Sequence, residues 1–230
     1  AAAVEADLAK ARSSLAAMQA ELKGRGPAAD RLRAAKVPAA RTDSFFDLAT
    51  YMERMRELAE KNGVEVRPEA SRFGFLQYAN EGPETDRIEP VFRQRQVAEH
   101  LLEALLTSKP RSLVSVKRER PLTKGEREAR LAAEAAGTPV DETAAPSSGD
   151  SPDHFVIDPR VTGRVKGFID TAPFRFVFTG QTASLRNFIV RLAEFDLPIL
   201  VREVEVEPVG GEEAASFLAE STKAAPADAT

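Results

Sequence analysis

Phe73-Gly74-Phe75-Leu76-Gln77-Tyr78 and, far downstream, Phe174-Arg175-Phe176-Val177-Phe178 are the two stretches on which the fold turns. Each sets large side chains at alternate positions, the period of a strand. Each is followed by an amphipathic segment and then by a β-branched run, Leu113-Val114-Ser115-Val116 in the first case and Leu200 to Val206 in the second. A strand-helix-strand order written twice predicts one sheet covered by two crossover helices, because each helix buries its apolar stripe by returning over the sheet. Such a core closes without a ligand, so function is to be sought in what flanks it.

The expected fold class is therefore α+β, a ferredoxin-like two-layer sandwich built from a duplicated strand-helix-strand unit, with a coiled-coil helix at the N-terminus. In the first unit, Asp86 is the expected N-cap with Glu89 completing a capping box. Ile88, Val91, Phe92, Ala98, Leu101, Leu102 and Leu105 then form one apolar stripe, ended by Lys109-Pro110. In the second, Thr182 is the expected cap, Leu185, Phe188, Ile189, Leu192 and Ala193 follow helical spacing, and Asp196-Leu197-Pro198 ends the helix. Phe73, Phe75, Leu101, Leu105, Phe174, Phe176, Phe188 and Leu192 are the expected common core.

Upstream, a helix is expected from Asp43 or Ser44 to Lys61, stopped by Asn62-Gly63 and followed by a short strand at Val64 to Val66. Leu8, Leu15 and Leu22 occupy heptad position a, and Val4, Ala11 and Met18 position d, until Gly24-Arg25-Gly26-Pro27 breaks the register. A heptad register already in phase at the first residue predicts continuation upstream, into a signal or membrane anchor. The organisation read from these signals is 1–24 coiled-coil stalk, 25–43 hinge and 44–120 helix plus first unit. A flexible linker at 121–153, a second unit at 154–209 and a mobile tail at 210–230 complete it. The linker is Pro- and Ser-rich, with an exposed helix at 126–136, and a strand at Phe155 to Ile157 and a hairpin over 161–170 follow it.

Composition narrows the chemistry. The 230 residues are 43% hydrophobic, with 13 Phe and no Trp, which suffices for a core. With 32 basic against 36 acidic residues the net charge is −4, which opposes a nonspecific nucleic-acid surface. No cysteine is present, which removes disulfides, thiolate catalysis and Cys-ligated metals. The two histidines, His100 and His154, have no ligand spacing around them and read as structural or solvated. Gly163-Arg164-Val165-Lys166-Gly167 lacks the Lys-Ser/Thr ending of a phosphate loop and reads as a turn. Glu203, Glu205 and Glu207 alternate with Val204 and Val206 and read as the solvated face of a strand. No catalytic, cofactor or metal residue is expected, no small-molecule substrate and no cofactor.

Taken together, the helix Thr42-Asp43-Ser44-Phe45-Phe46 to Asn62-Gly63, the stretch Phe73-Gly74-Phe75, the linker after Pro121, and Pro173-Phe174-Arg175-Phe176 through Gly180, Leu185, Phe188 and Ile189 resemble the periplasmic part of PilO-like pilus-assembly proteins. The likeness is greatest to the pili-associated PilO-like proteins of verrucomicrobial bacteria. The resemblance implies an inner-membrane protein with a periplasmic domain and a coiled coil, which dimerises or pairs with a PilN-like partner in the scaffold of a pilus or related secretion machine. The chain departs from that family in showing no membrane helix within its own length and in its long linker between the units. On this reading it is not an enzyme, and Val4, Leu8, Leu15, Met18 and Leu22 are the interaction residues, for a homodimer or a PilN-like partner. Two alternatives stand beside it. A small-molecule sensor on the same fold would need polar groups converging at an edge. An RNA-recognition domain would need Ser71 to Tyr78 to act as its base-stacking strand, against an acidic chain and the wrong strand order.

Overall fold

The aromatic stretch at residues 73–78 folds as turns. A computed structural model describes residues 2–24, 26–135, 152–155, 157, 163–165, 169 and 171–210. Phe73 and Gly74 both take left-handed backbone, φ 50° and 86°, which no strand accommodates. Short 3-10 turns at Pro68–Ala70 and Leu76–Tyr78 bracket them. The physical reason lies across the core, where a Cβ on Gly74 would stand 3.0 Å from Val116 Cγ1, so this backbone is pressed against the sheet face. Phe73 and Phe75 are buried as expected, but by docking onto the sheet from outside it. The base-stacking strand that an RNA-recognition domain would need is thereby absent from this position.

Helices α1 (Ala2–Leu22), α2 (Pro27–Ala34) and α3 (Arg41–Lys61) precede the two-residue strand β1 (Glu65–Val66). Then come α4 (Ile88–Thr107), β2 (Ser112–Arg118), α5 (Lys124–Ala135), β3 (Phe174–Thr179) and α6 (Thr182–Ala193). This is a mixed α+β fold with a three-stranded sheet in the order β1-β2-β3. β1 pairs parallel with β2, so α4 is the crossover between them. β3 runs antiparallel to β2 from Ser112↔Thr179 to Arg118↔Phe174, with an irregularity between Leu113 and Ser115. A ferredoxin-like sheet splits each strand-helix-strand unit around a strand of the other; here β1 and β2 are direct neighbours.

The core lies between α3, α4 and the sheet. Leu48, Tyr51, Met52, Met55 and Ala59 from α3 meet Val91, Ala98, Leu102, Leu105 and Leu106 from α4, with Leu113 and Val116 of β2 beneath. Tyr51 is the pivot. Its ring stands edge-on to Phe75 at 5.4 Å between centroids, and its hydroxyl donates to the Phe73 carbonyl at 3.0 Å. α6 adds Phe188, which sits edge-on to Phe176 and Phe178. Phe174, Phe176 and Leu192 cover this core from its rim and are only partly buried.

Two caps differ from expectation. A 3-10 turn, Thr85–Arg87, enters α4, so Arg87 stands at the N-cap without a side-chain bond and the Asp86–Glu89 box does not form. Gln181, not Thr182, is the N-cap residue of α6. The exposed linker helix is α5, beginning two residues earlier than read. Of the hairpin expected at 161–170 the structure describes the bridge between Val165 and Ile169. Of the strand expected at 155–157 the structure describes Phe155 and Ile157, neither of them in a strand, and a bridge joins His154 to Arg118. The Pro/Ser-rich linker at 136–151 and the tail beyond 210 lie outside the described residues.

The stretch from Leu200 onward is a separate unit by backbone contacts from the residues before it. Its described part, 200–210, is assigned to no strand, and Val204 and Val206 are exposed together with the glutamates between them. The alternation there is real in sequence. It encodes two faces, whereas strand formation depends on a neighbouring edge that alternation alone does not specify.

Candidate functional site

α1 is helical because its Ala-rich sequence with Leu, Met, Glu, Lys and Gln has high intrinsic propensity and no internal Gly or Pro. Every residue from 4 to 23 is exposed. Val4, Leu8, Leu15, Met18 and Leu22 are 71, 50, 43, 60 and 43% accessible, large apolar side chains on a single surface-lying helix. The row from Leu8 to Leu22 is about 21 Å long at the helical rise. Isolated exposed apolar residues are ordinary, but five at a/d spacing on one helix form a stripe of the kind that marks a binding surface. The flanking positions carry Asp7 and Glu21 on one side of the row and Glu5 and Arg12 on the other. In a parallel pair of such helices Asp7 of one copy faces Arg12 of the other, the g-to-e geometry that favours in-register pairing.

The base of α1 is held rather than free. Gly24 and Gly26 take φ 72° and 107°, and a Cβ on either would come within 2.5 or 2.6 Å of Asp196, at the carbonyl of the first and the carboxyl of the second. Asp196 follows α6. Its Oδ2 accepts the Ala28 amide at 2.8 Å, satisfying a donor at the start of α2 that Gly26, the N-cap, has no side chain to serve. From the other side Arg33 donates to the Lys23 carbonyl and to Asp30 Oδ1, both at 2.5 Å, while Arg93 of α4 donates to the Leu32 carbonyl at 3.1 Å. This joint lies among residues 25–43, the stretch read from the sequence as a hinge.

Beside the joint a shallow groove of about 410 Å³ runs between α4 and the end of α6, lined by His100, Glu103, Thr107, Arg191, Glu194 and Asp196 among others. His100 is edge-on to Phe195 at 5.5 Å, with Nδ1 3.7 Å from Glu103, a surface-packing role. His154 is distant in sequence and differently placed. Burial and the neighbouring Arg118, Arg120 and Arg87 push it down to about 4, so it is neutral at physiological pH. Among the described residues no group of three His, Asp or Glu could hold a metal ion. No helix among them is long and apolar enough to cross a membrane. Of Gly163 to Gly167, the described residues include Arg164, whose guanidinium pairs with Glu119 through both carboxylate oxygens.

Sequence reasoning placed Val4, Leu8, Leu15, Met18 and Leu22 on one helix and passed over Asp196, read only as a helix stop. The signal was present, since a carboxylate beside a helix end is a common partner for orphan backbone amides, but nothing local pairs residue 196 with residue 28.

The profile of a family described as pilus-like matches residues 5–208. No curated protein matches. Among solved structures, a crystal structure from Akkermansia muciniphila is 15% identical with a TM-score of 0.46, over 71% of this chain and 66% of its own. The crystal structure of a core domain from the same organism is 12% identical with a TM-score of 0.47, covering 72% and 75% of the two chains. A third, from Akkermansia muciniphila and solved without its transmembrane region, is 13% identical with a TM-score of 0.47, covering 71% and 72%. The chain thus spans just under two thirds of the first of these. With a family profile aligned from within the first turns of α1 to the segment after α6, the chain belongs to the pilus-like family.

Proposed function

We propose that the chain is a non-enzymatic scaffold subunit of a pilus-related machine, of the PilO-like kind, which acts by pairing α1 with a second copy or with a PilN-like partner. The observation that carries this is α1, exposed at every residue from 4 to 22, with its a/d row of Val4, Leu8, Leu15, Met18 and Leu22. A helix packed back on its own domain would bury that row. Family membership accords with an assembly role. A periplasmic position beneath an inner-membrane anchor belongs to the same proposal. So does the division into stalk 1–24, hinge 25–43, two units at 44–120 and 154–209, a linker at 121–153 and a tail from 210.

The finer fold reading, a ferredoxin-like two-layer sandwich with a duplicated strand-helix-strand unit, belongs to the same proposal. Its support is the pair of strand-helix units, β1–α4–β2 and β3–α6, whose helices touch each other.

Three heptads bury little surface, so pairing is weak and concentration-dependent. Sedimentation velocity of the chain and of the Leu8→Glu/Leu15→Glu variant tests it. The expected result is a reversible dimer that the substitutions abolish without changing the melting temperature. Identical sedimentation of the two, alone and with a PilN-like partner, contradicts the reading.

A further inference from the structure

Away from α1, the sheet ends in an edge of unusual composition. Among the described residues the one strand neighbour of β3 is β2, so the N–H and C=O groups along the other side of β3 face outward. The opposite margin of the sheet is blunted by shortness, because β1 has two residues. β3 has six, Phe174-Arg175-Phe176-Val177-Phe178-Thr179, aromatic and β-branched apart from one arginine and with no proline inside it. A long apolar edge strand is a template for a further strand unless charge, proline or brevity protects it.

The two faces of β3 differ in chemistry. On the core side Phe174, Phe176 and Phe178 are only partly buried, and Ile189 of the covering helix α6 is exposed. On the outer side Arg175 stands directly opposite Lys117 of β2, and Val177 is exposed. Like charges set directly opposite favour acid on the next strand. The strand that fits this edge is therefore apolar on one face and acidic on the other.

One stretch of the sequence has that pattern. At 200–206, Leu200, Val204 and Val206, with Arg202 among them, alternate with Val201, Glu203 and Glu205. The stretch is about as long as β3, is assigned to no strand of its own chain, and exposes Leu200, Val201, Val204 and Val206. We infer that residues 200–206 of a second copy add to the outer edge of β3 as a further strand. Their apolar face then joins the three phenylalanines, and Glu203 and Glu205 bring negative charge to the face of Arg175 and Lys117. Backbone hydrogen bonds hold the added strand, and the two faces set its register, since a slip of one residue would turn the glutamates onto the aromatic side. This contact goes beyond the pairing of α1 and does not depend on it.

Disulfide trapping tests the contact in the Leu8→Glu/Leu15→Glu chain, where charges in the α1 row remove its contribution. One preparation, lengthened by a tag, carries Val177→Cys on the outer face of β3. The other carries Val201→Cys, Glu203→Cys or Glu205→Cys in turn, which covers the two-residue steps of register on the same face. Mixed under mild oxidation, at least one of the three pairs is expected to give a disulfide-linked heterodimer. The link is expected to be lost when the second chain also carries Val204→Pro, which removes a backbone donor from an exposed stretch. Val177→Cys mixed with Ser13→Cys on α1 is expected to link little. No heterodimer from any of the three pairs, equal linking with Ser13→Cys, or linking that survives Val204→Pro overturns the inference. So does a concentration-independent disulfide within a chain carrying both Val177→Cys and Glu203→Cys, with no linked dimer, since the added strand would then come from the same chain.

Discussion

Phe73 combines a positive φ, a buried ring and a carbonyl bonded to Tyr51, and these three properties explain one another. The left-handed turn aims the carbonyl at the Tyr51 hydroxyl while the ring stays in the core. Tyr51→Phe removes a buried donor and strands that carbonyl, and should lower stability by about 1 to 2 kcal/mol in urea denaturation. A loss below a few tenths would mean that the hydroxyl does not hold the turn. That Phe73 and Phe75 are core was legible from their spacing, and Gly74 between them was a legible sign of close backbone approach. The turn itself was not, because its φ values answer to Val116 across the core and no local pattern records that contact. His154 gives the residue-scale pH prediction. Its folded pKa, about 4, lies below the ordinary 6.5, so the unfolded chain binds the proton first and stability falls as pH drops from about 6.5 towards 4. Asp153 is raised, chiefly by burial, and so works in the opposite sense at lower pH. Comparing wild type with His154→Gln isolates the histidine; the variant's stability should fall less steeply through that window, and parallel curves would contradict the assignment.

At the scale of elements, α3, α4, β2, β3 and α6 fall close to where periodicity and breakers put them, since long apolar stripes bounded by Asn-Gly, Lys-Pro and Leu-Pro leave little choice of segment. Caps and joints do not follow from such patterns. Asp196 reaches back to Ala28, so its role exists only once α6 and α2 are folded side by side. Asp196→Ala should cost about 1 kcal/mol, the ordinary worth of a capping bond, and leave the sheet core intact. Gly26→Ala should cost more than that, because φ 107° is closed to alanine and its Cβ would meet the Asp196 carboxyl at 2.6 Å. Equal stability of Gly26→Ala and wild type, measured by denaturation, would show that the joint yields freely.

For the whole molecule, core residues from α3, α4, β2 and α6 belong to one buried cluster, so residues 41–193 should unfold in a single transition. Preceding that core is a helix whose apolar row is exposed, and the account assigns that row to a second helix. The natural absence of cysteine makes the assignment directly measurable. Leu15→Cys places a thiol at position a in the middle of the row, while Ser13→Cys places one on the opposite, outward side of the same helix. Under mild oxidation at matched concentration, the account predicts rapid disulfide-linked dimer from Leu15→Cys and little from Ser13→Cys. Equal cross-linking of the two variants, or none from Leu15→Cys at any concentration, would contradict pairing of α1 with a second copy.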